Sequence, residues 1–335
     1  MTGRVFITGA AGFIGFHLAK RILSDGWEVM GFDGMTPYYS PKLKEARLSI
    51  LQDQPCFSFQ QGMLEDEGLL TDLVGSFKPN VIVHLAAQAG VRYSIDAPRS
   101  YAASNLIGTH EILEAARVHP PKHLMMASTS SAYGANTEMP YAETHRAVHP
   151  MSFYAATKIA NEAMTHSYAH LFGIPTTMFR FFTVYGTWGR PDMALFKFTK
   201  AILNGEPVDV YNHGSMQRDF TYVEDLVEGI VRLAGTVPGT NPIGPMDSLS
   251  PVAPFRVVNI GNGMPIALTE FITAIESATG RKAQCNPMPM QPGDVPSTWA
   301  DASLVEALVG ELPRTDIRDG IQKFVDWYRD WSATE

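Results

Sequence analysis

Two residues in one short segment carry side chains that can remove a proton from an alcohol. Tyr154 and Lys158 stand four positions apart in the stretch Phe-Tyr-Ala-Ala-Thr-Lys, within a pattern that predicts a helix. At that spacing the two side chains lie on one face of the helix. A neighbouring ammonium group favours the phenolate and lowers the pKa of the tyrosine, which suits a general base. The same spacing also occurs by chance on amphipathic helices, so its meaning depends on the elements around it.

The first of these elements is a glycine-rich loop near the N-terminus. An apolar run at 4–8 precedes Gly9, Gly12 and Gly15, and a helical pattern follows. This order forms a phosphate cradle, because glycines let the backbone approach the ligand and the helix N-terminus offers free N–H groups. A second strand ends at Asp33, whose carboxylate suits the ribose hydroxyls of NAD and repels the 2′-phosphate of NADP. The alternative interpretation is a structural glycine turn in an ordinary α/β unit. The spacing is Gly-x-x-Gly-x-x-Gly, one residue longer than the commoner Gly-x-Gly-x-x-Gly.

A run of hydroxyl side chains supplies a third catalytic candidate. Ser128, Thr129, Ser130 and Ser131 follow an apolar, strand-like run. Such hydroxyls can bind a sugar hydroxyl and relay its proton to Tyr154. Strand ends also favour Ser and Thr for bonding to the backbone. The catalytic interpretation therefore depends on the tyrosine and lysine that follow in the chain.

Strand-like runs alternate with helical patterns over the first half of the chain. Strands are predicted at 5–8, 29–32, 57–61, 81–85, 123–128 and 176–181, and helices at 12–25, 68–77, 98–118 and 153–172. This series predicts an α/β fold with a Rossmann-type, doubly wound parallel sheet. Ligands on such sheets bind beyond the carboxyl ends of the strands, where Gly9, Asp33 and Thr129 stand.

The pattern changes after about residue 185. Helices are predicted at 194–204, 221–233, 268–279 and 316–331, one more strand at 257–260, and a long exposed loop rich in Pro, Gly and Ser at 235–254. We expect an NAD-binding Rossmann domain over 1–184, joined by late elements from about 220–240 and 256–279. Residues 185–335 are expected to form mainly a smaller, interleaved C-terminal lobe that binds the substrate and covers the cleft.

Composition argues against several classes of protein. Of the 335 residues, 45% are hydrophobic and 18% charged, and the net charge is −8. Such an acidic chain is a poor partner for nucleic acid or an anionic membrane. No apolar run approaches the roughly 20 residues of a membrane span, and no signal peptide is recognisable. Cys56 and Cys285 form no disulfide framework and are expected to be buried or inert thiols, so the cytoplasm is the expected compartment.

Longer segments add a resemblance to a known family. They cover 38–48, 89–94, 188–198, 209–214 and 218–222. With the glycine loop and the tyrosine–lysine pair, they make the chain similar to the extended short-chain dehydrogenase/reductases, and specifically to the NAD-dependent nucleotide-sugar epimerases. The closest resemblance is to the UDP-glucuronate 4-epimerases. It covers nearly the whole chain and is weakest in the loop at 235–254.

The resemblance implies a set of site residues, with NAD as cofactor and no metal. The catalytic triad would be Thr129, Tyr154 and Lys158. NAD would be held by Gly9, Gly12, Phe13, Ile14, Gly15, Asp33, Leu64, Leu85, Ala86 and Ala87, with Tyr154 and Lys158 at the nicotinamide riboside. The UDP-sugar would be bound by Arg92, Thr183, Arg190, Tyr211, Asn212, Arg218 and Asp294, while Ser130 and Ser131 are candidates for gripping a sugar carboxylate. Met63 stands where relatives usually carry an aspartate near the adenine. Each arginine in the substrate set has the alternative interpretation of a solvated surface charge.

The hydroxyl-rich string at 128–134 separates several reactions within this family. UDP-glucuronate decarboxylases carry a glutamate there and nucleotide-sugar dehydratases an Asp-Glu pair, whereas this string has no acid. The resemblance therefore implies 4-epimerisation of a UDP-sugar, most closely of UDP-glucuronate to UDP-galacturonate, through a 4-keto intermediate and tightly bound NAD. UDP-glucose 4-epimerase and UDP-glucuronate decarboxylase remain alternatives. A catalytically silent protein that senses NAD or a nucleotide sugar is the alternative outside enzymes.

The resemblance also implies a homodimer. Relatives dimerise through a bundle of four helices, two from each subunit. The predicted helices 98–118 and 153–172 correspond to the pair that one subunit contributes. Both helices carry apolar faces, and the other interpretation is that these faces merely pack on the sheet.

Overall fold

A seven-stranded parallel sheet forms the centre of the molecule, which a computed structural model describes over residues 3–291 and 293–333. The strands are β1 (Arg4–Thr8), β2 (Glu28–Asp33), β3 (Phe57–Gln61), β4 (Val81–His84), β5 (His123–Thr129), β6 (Thr176–Phe181), β7 (Thr183–Tyr185), β8 (Pro207–Val210), β9 (Gln217–Tyr222), β10 (Phe255–Ile260), β11 (Pro265–Ala267), β12 (Gln284–Pro287) and β13 (Ser297–Thr298). The central sheet has the order β10-β6-β5-β4-β1-β2-β3. The order reverses between β1 and β4, so the predicted doubly wound parallel sheet is confirmed.

Helices cover both faces of this sheet. They are α1 (Phe13–Ser24), α2 (Pro41–Gln52), α3 (Leu69–Phe77), α4 (Tyr93–Asp96), α5 (Pro98–Tyr101), α6 (Gly108–Val118), α7 (Phe153–Phe172), α8 (Ala194–Asn204), α9 (Val223–Ala234), α10 (Leu268–Thr279), α11 (Ser303–Val309) and α12 (Ile317–Ser332). On one face α1, α9 and α11 share a core with the strands. On the other face α3, α6 and α7 form a second core. The inner strands read as continuous apolar runs because both of their faces are buried.

A smaller lobe follows the sheet. Strand β9 pairs with β7, β11 and β13, and β8 pairs with β12. Helices α8, α10 and α12 pack on these strands around a third core, in which the rings of Phe220 and Phe271 stack with centroids 4.2 Å apart. The division of the chain at residue 184 stays a prediction. Residues from the second half nevertheless complete the central sheet, because β10 is its edge strand beside β6.

Most predicted elements agree with the structure to within two residues. The helix predicted at 221–233 begins at Val223, because Thr221 and Tyr222 pair with β7 as the end of β9. The helix predicted at 98–118 is α5, a π-helical segment over Ala102–Ile107, and α6. The wide π turn places the buried amide of Asn105 against the backbone of Gln88.

The segment 235–254 contains no helix or strand and is mostly exposed, as predicted. Its centre is nevertheless anchored, because the buried side chain of Asp247 forms an ion pair of 2.8 Å with Arg256. The expectation that the cysteines are buried is wrong, since Cys56 and Cys285 are both exposed free thiols. Cys56 precedes the edge strand β3, and Cys285 lies on β12 of the two-stranded pair, so neither position is covered. Within the described residues, none of the helices combines the length and apolar character that crossing a bilayer requires.

Candidate active site

The glycine loop lies between β1 and α1 and is folded too tightly for other side chains. Gly9 has a φ of +75°, and its N–H donates to the carbonyl of Phe32 at 2.7 Å. A Cβ atom at Gly12 would lie 2.9 Å from the Gly9 oxygen, and one at Gly15 only 2.0 Å from it. Among the described residues no side chain caps the start of α1. The first N–H groups of this helix are therefore available for a phosphate.

Asp33 closes β2 and is held rigidly beside the same loop. Its Oδ2 accepts a hydrogen bond from the Ala11 N–H at 3.2 Å, and its Oδ1 accepts one from the Met35 N–H at 2.8 Å. The Lys44 ammonium lies 3.6 Å from Oδ1, and both side chains are almost fully buried. The carboxylate is therefore fixed in position at the end of the strand. Lys44 belongs to the segment 38–48 that carried the family resemblance, although its role was not predicted.

One cavity opens beyond the carboxyl ends of β1, β2, β4, β5 and β6. Its volume, with the open mouth included, is about 1390 Å³. The predicted residues that line it are Gly9, Gly12, Phe13, Ile14, Gly15, Asp33, Leu64, Leu85, Ala86, Ala87, Thr129, Tyr154, Lys158 and Arg190. Residues far apart in the chain therefore meet on one wall, as the strand order requires. Met63 lines the cavity beside Leu64.

The three predicted catalytic side chains reach the cavity from two elements. Tyr154 and Lys158 project from α7, which begins where the Ser152 side chain accepts a hydrogen bond from the Ala155 N–H at 3.1 Å. Thr129 is the last residue of β5, and its hydroxyl accepts a hydrogen bond from the Ser131 N–H at 3.1 Å while lying close enough to the phenol of Tyr154 to lower its pKa. The Lys158 ammonium donates to the carbonyl oxygen of Ala127 at 2.9 Å.

Burial decides the electrostatics of this cluster. It raises the pKa of Tyr154, while the Thr129 hydroxyl and the charge of Arg190 act in the opposite direction. Burial also lowers the pKa of Lys158 from 10.5 to about 8, against the opposing charge of Glu162. The prediction that the lysine brings the tyrosine pKa below its ordinary value is therefore wrong for the protein by itself. Desolvation outweighs the neighbouring charges, because the ammonium is buried and the ring is partly buried.

Arg190 enters the cavity from the segment after β7 and is held by two neighbours. Its Nε donates to Asp192 Oδ1 at 3.0 Å, and its Nη2 donates to Asp192 Oδ2 at 2.5 Å. The Tyr38 hydroxyl donates to the same carboxylate at 3.1 Å, and the guanidinium lies over the Tyr38 ring at 5.8 Å. Tyr38 also lines the cavity. Both neighbours belong to segments that carried the resemblance. Asp192 is two positions from Arg190 in the chain, whereas only the fold brings Tyr38 to it.

Other predicted substrate residues form a second cluster outside the cavity lining. The Arg92 guanidinium pairs with Asp294 at 3.1 Å and lies over the Tyr211 ring at 4.7 Å. Burial lowers the pKa of Arg218, which also senses the charges of Asp294 and Arg92. This cluster joins the loop after β4 to the smaller lobe.

The remaining predicted residues are placed separately. Asn212 bonds only locally, since its amide donates to the Ser215 carbonyl at 2.7 Å. Ser130 and Ser131 form the turn directly after Thr129. Thr183 begins β7 beside Phe182, which lines the cavity. The two serines and this threonine therefore flank the catalytic cluster without lining the cavity.

The family of the chain follows from comparison with known proteins. The model of the NAD dependent epimerase/dehydratase family matches residues 5–243. The chain belongs to this family. A probable UDP-glucuronate 4-epimerase of Rhizobium meliloti (strain 1021) is 55% identical to this family member over 329 residues, which cover 97% of this chain and 96% of that protein.

Solved structures agree with the sequence relatives. A UDP-glucuronic acid 4-epimerase from Bacillus cereus, in complex with UDP-glucuronic acid and NAD, superposes with a TM-score of 0.88 at 30% identity, over 98% of this chain and 99% of that one. A UDP-glucose 4-epimerase from Thermotoga maritima, with UDP-glucose, superposes with a TM-score of 0.85 at 26% identity, over the same shares. This family member is therefore similar over nearly its whole length to a UDP-glucuronic acid 4-epimerase and to a UDP-glucose 4-epimerase.

Proposed function

We propose that this protein is an NAD-dependent UDP-sugar 4-epimerase that interconverts UDP-glucuronate and UDP-galacturonate. The observation that carries the proposal is the composition of the cavity. A tyrosine, a threonine and a lysine meet at one end, and Asp33 at the far end is its only carboxylate among the described residues. The relative from Rhizobium meliloti supports the choice of sugar, since it is 55% identical and is a probable UDP-glucuronate 4-epimerase.

The glycine loop and Asp33 fit the cofactor. The tight turn of the loop requires glycine at 12 and 15, because a Cβ atom at either position would clash with the Gly9 carbonyl oxygen, and the rigid carboxylate is placed for ribose hydroxyls. Bound there, NAD would supply the hydride acceptor and donor that inversion at C4 of the sugar requires. Leu64, Leu85, Ala86 and Ala87 provide its apolar walls.

Tyr154 serves as the acid and base of the reaction. It takes the proton of the C4 hydroxyl, directly or through Thr129, and returns it after the 4-keto sugar has presented its other face. Thr129 stabilises the phenolate by hydrogen bonding. Lys158 contributes a fixed ammonium, held by Ala127 at 2.9 Å. Arg190 supplies a cation to the anionic substrate, because its planar fork suits phosphate or carboxylate.

The lack of a carboxylic acid at positions 130 and 131, directly after Thr129, favours epimerisation over related reactions. Dehydration needs a further general acid and base. In the described structure Ser130 and Ser131 stand next to Thr129 in place of such residues. The proton relay through Tyr154 is sufficient for epimerisation.

The keto intermediate of a glucuronate ring is a β-keto acid, which loses its carboxylate readily in the wrong conformation. We propose that Ser130, Ser131 and Thr183 hold the carboxylate out of the alignment that allows this loss. Replacing Thr183 by Val should raise the proportion of pentose product. An unchanged ratio of epimer to pentose would refute this role of Thr183.

Incubation with UDP-glucuronate tests the main proposal. Proton NMR should show UDP-galacturonate, with little release of carbon dioxide and a slower reaction of UDP-glucose. Tyr154→Phe should reduce the rate by at least about 10²-fold, the usual scale for a lost general base. Tyr168→Phe is the matched control, because its hydroxyl lies on the same helix but bonds to Glu114 at 2.6 Å outside the cavity. Equal rates for Tyr154→Phe and the parent would refute the proposal.

The product distinguishes the remaining alternatives. Faster inversion of UDP-glucose would identify a UDP-glucose 4-epimerase, and UDP-pentose with carbon dioxide would identify a decarboxylase. Tight binding of NAD and UDP-sugar without turnover would identify a sensing protein.

We also propose a homodimer formed through α6, α7 and the π-helical segment. Apolar side chains on these elements are exposed, including Ile107 at 53% and Leu171 at 68%. The two helices are already braced together, because the Tyr168 hydroxyl of α7 bonds to Glu114 of α6. Sedimentation of the parent should give twice the chain mass, and Leu171→Glu should give a monomer.

The two exposed free thiols suit a reducing compartment, and we propose the cytoplasm.

A further inference from the structure

A buried carboxylate stands one helical turn beyond Lys158 and takes no part in the mechanism above. Glu162 of α7 pairs with Arg180 of β6 through two hydrogen bonds, from Nε to Oε1 at 2.9 Å and from Nη2 to Oε2 at 2.7 Å. The side chains are only 12% and 6% exposed. The Ser128 hydroxyl donates to the same Oε1 at 2.6 Å. Glu162 is therefore fixed by charged and neutral donors on two different strands.

Two hydrogen bonds join the end of β5 to one face of α7. The Ala127 carbonyl accepts a bond from Lys158, and the Ser128 hydroxyl donates one to Glu162, one helical turn further along. The Thr129 hydroxyl lies close enough to the phenol of Tyr154 to lower its pKa. Tyr154 and Lys158 belong to the proposed catalytic triad. The bond between Ser128 and Glu162 helps to set where this helix face meets the strand, since residues four apart lie on one side of a helix.

We infer that Glu162 is a positioning residue that ties the end of β5 to α7 and provides the counter-charge for the Lys158 ammonium. This inference rests on the proposed function, because it assigns Lys158 its role in the reaction. Glu162 does not line the cavity and acts only through Lys158 and the β5 end.

The charges around Lys158 support this role. Glu162 and Tyr154 face it from its own helix, and His84 faces it from the end of β4. His84 is neutral at physiological pH, because burial lowers its pKa to about 3, and its Nδ1 lies 2.8 Å from the Thr8 hydroxyl. Arg180 lies behind Glu162 on β6. Glu162 is thus the negative group that opposes the desolvation of the ammonium.

Two charge substitutions test the inference by the sign of a pH shift. Residues one helical turn apart are about 6 Å from each other, and a unit charge at that distance changes a pKa by about one to two units. Glu162→Gln should move the alkaline limb of the kcat profile about one unit to lower pH, because Lys158 loses its proton more easily. Arg180→Met should move the same limb to higher pH, because Glu162 then acts on Lys158 without its partner. A merely structural pair would lower activity in both variants with no opposed shifts.

Ser128 provides a milder test that preserves the ion pair. Ser128→Ala should lower kcat by about three- to tenfold, the scale of one lost hydrogen bond, with KM unchanged. Ser128→Thr should restore most of the loss by replacing the hydroxyl. Glu114→Gln is the matched control, since Glu114 pairs with Arg117 at 2.6 Å on α6, outside the cavity. An equal loss in this control, or no rescue by threonine, would overturn the positioning role.

A titration that needs no turnover separates this inference from the proposed function. Lysine labelled with ¹³C at Cε reports the proton of each ammonium, and the Lys158→Arg spectrum assigns the signal of Lys158. In the parent this signal should titrate near pH 8, and lower in Glu162→Gln. An unmoved midpoint would overturn the inference even in an active epimerase. A moved midpoint in a protein without epimerase activity would support the counter-charge and refute the proposed function alone.

Discussion

Replacing Lys158 by Met should make the protein more stable and inactive. The ammonium is buried, and the structure compensates it only in part, so that the pKa of Lys158 falls from 10.5 to about 8. A difference of about 2.5 units between the folded and unfolded chain costs about 3 kcal/mol of stability where both forms are protonated. Methionine has a similar length and removes this cost. It also removes the bond to Ala127, worth about 1 kcal/mol, which leaves a net gain of about 2 kcal/mol at pH 7.

The gain should disappear as the pH rises. Because the folded-state pKa lies below the unfolded value, the unfolded chain retains the proton between about pH 8 and 10.5 where the folded protein has lost it. The stability of the parent, relative to Lys158→Met, therefore increases with pH over this window. Above this pH window, the stabilities of the parent and of Lys158→Met differ only by the contribution of the lost hydrogen bond to Ala127. Lys158→Met should then be the less stable by about 1 kcal/mol.

Urea unfolding, followed by circular dichroism at pH 7 and at pH 10 on nucleotide-free protein, measures both effects. Lys44→Met is the control for loss of a buried lysine. Its ammonium lies 3.6 Å from the Asp33 carboxylate, so the variant should lose stability at pH 7. The reasoning is refuted if Lys158→Met is no more stable than the parent at pH 7. It is equally refuted if the difference between them does not change between the two pH values.

Three further predictions concern the cofactor loop and the proposed base. Thr129→Val removes the hydroxyl that lowers the Tyr154 pKa, so kcat at pH 8 should fall because less of the protein carries the phenolate, a loss that stopped-flow assays of variant and parent at that pH would detect. Gly15→Ala places a methyl group 2.0 Å from the Gly9 oxygen and should weaken NAD binding by at least about tenfold in calorimetry, with the loop displaced. Asp33→Asn should weaken the binding of NAD by about tenfold and reduce the preference of the protein for NAD over NADP. Unchanged dissociation constants for both cofactors would contradict the role of this carboxylate.

Local spacing was sufficient to predict the main parts of the site. The i, i+4 spacing of Tyr154 and Lys158 places both on one face wherever α7 packs. The glycine loop follows a strand and precedes a helix, and this order alone brings helix N–H groups to the sheet edge. The alternation of strands and helices implies a parallel sheet, whose carboxyl ends meet at one edge. These inferences use only neighbours in the chain and the general geometry of α/β folds.

Other features depend on which distant segments meet. Arg190 is held by Tyr38 from a segment about 150 positions earlier, and the loop at 235–254 is anchored by the pair of Asp247 with Arg256. Nothing in the spacing of these residues predicts either contact. The exposure of Cys56 likewise depends on β3 lying at the edge of the sheet.

The sequence by itself placed the glycine loop, Asp33, Tyr154 and Lys158 at the cavity, because the alternation of strands and helices and the helix period are local properties of the chain. Only the tertiary structure decided how those groups ionise. Burial raises the pKa of Tyr154 and lowers that of Lys158, whereas their spacing alone predicted a lowered tyrosine pKa. Desolvation comes from every segment that encloses a side chain, and the pairing of Glu162 with Arg180 is set by the packing of α7 against β6.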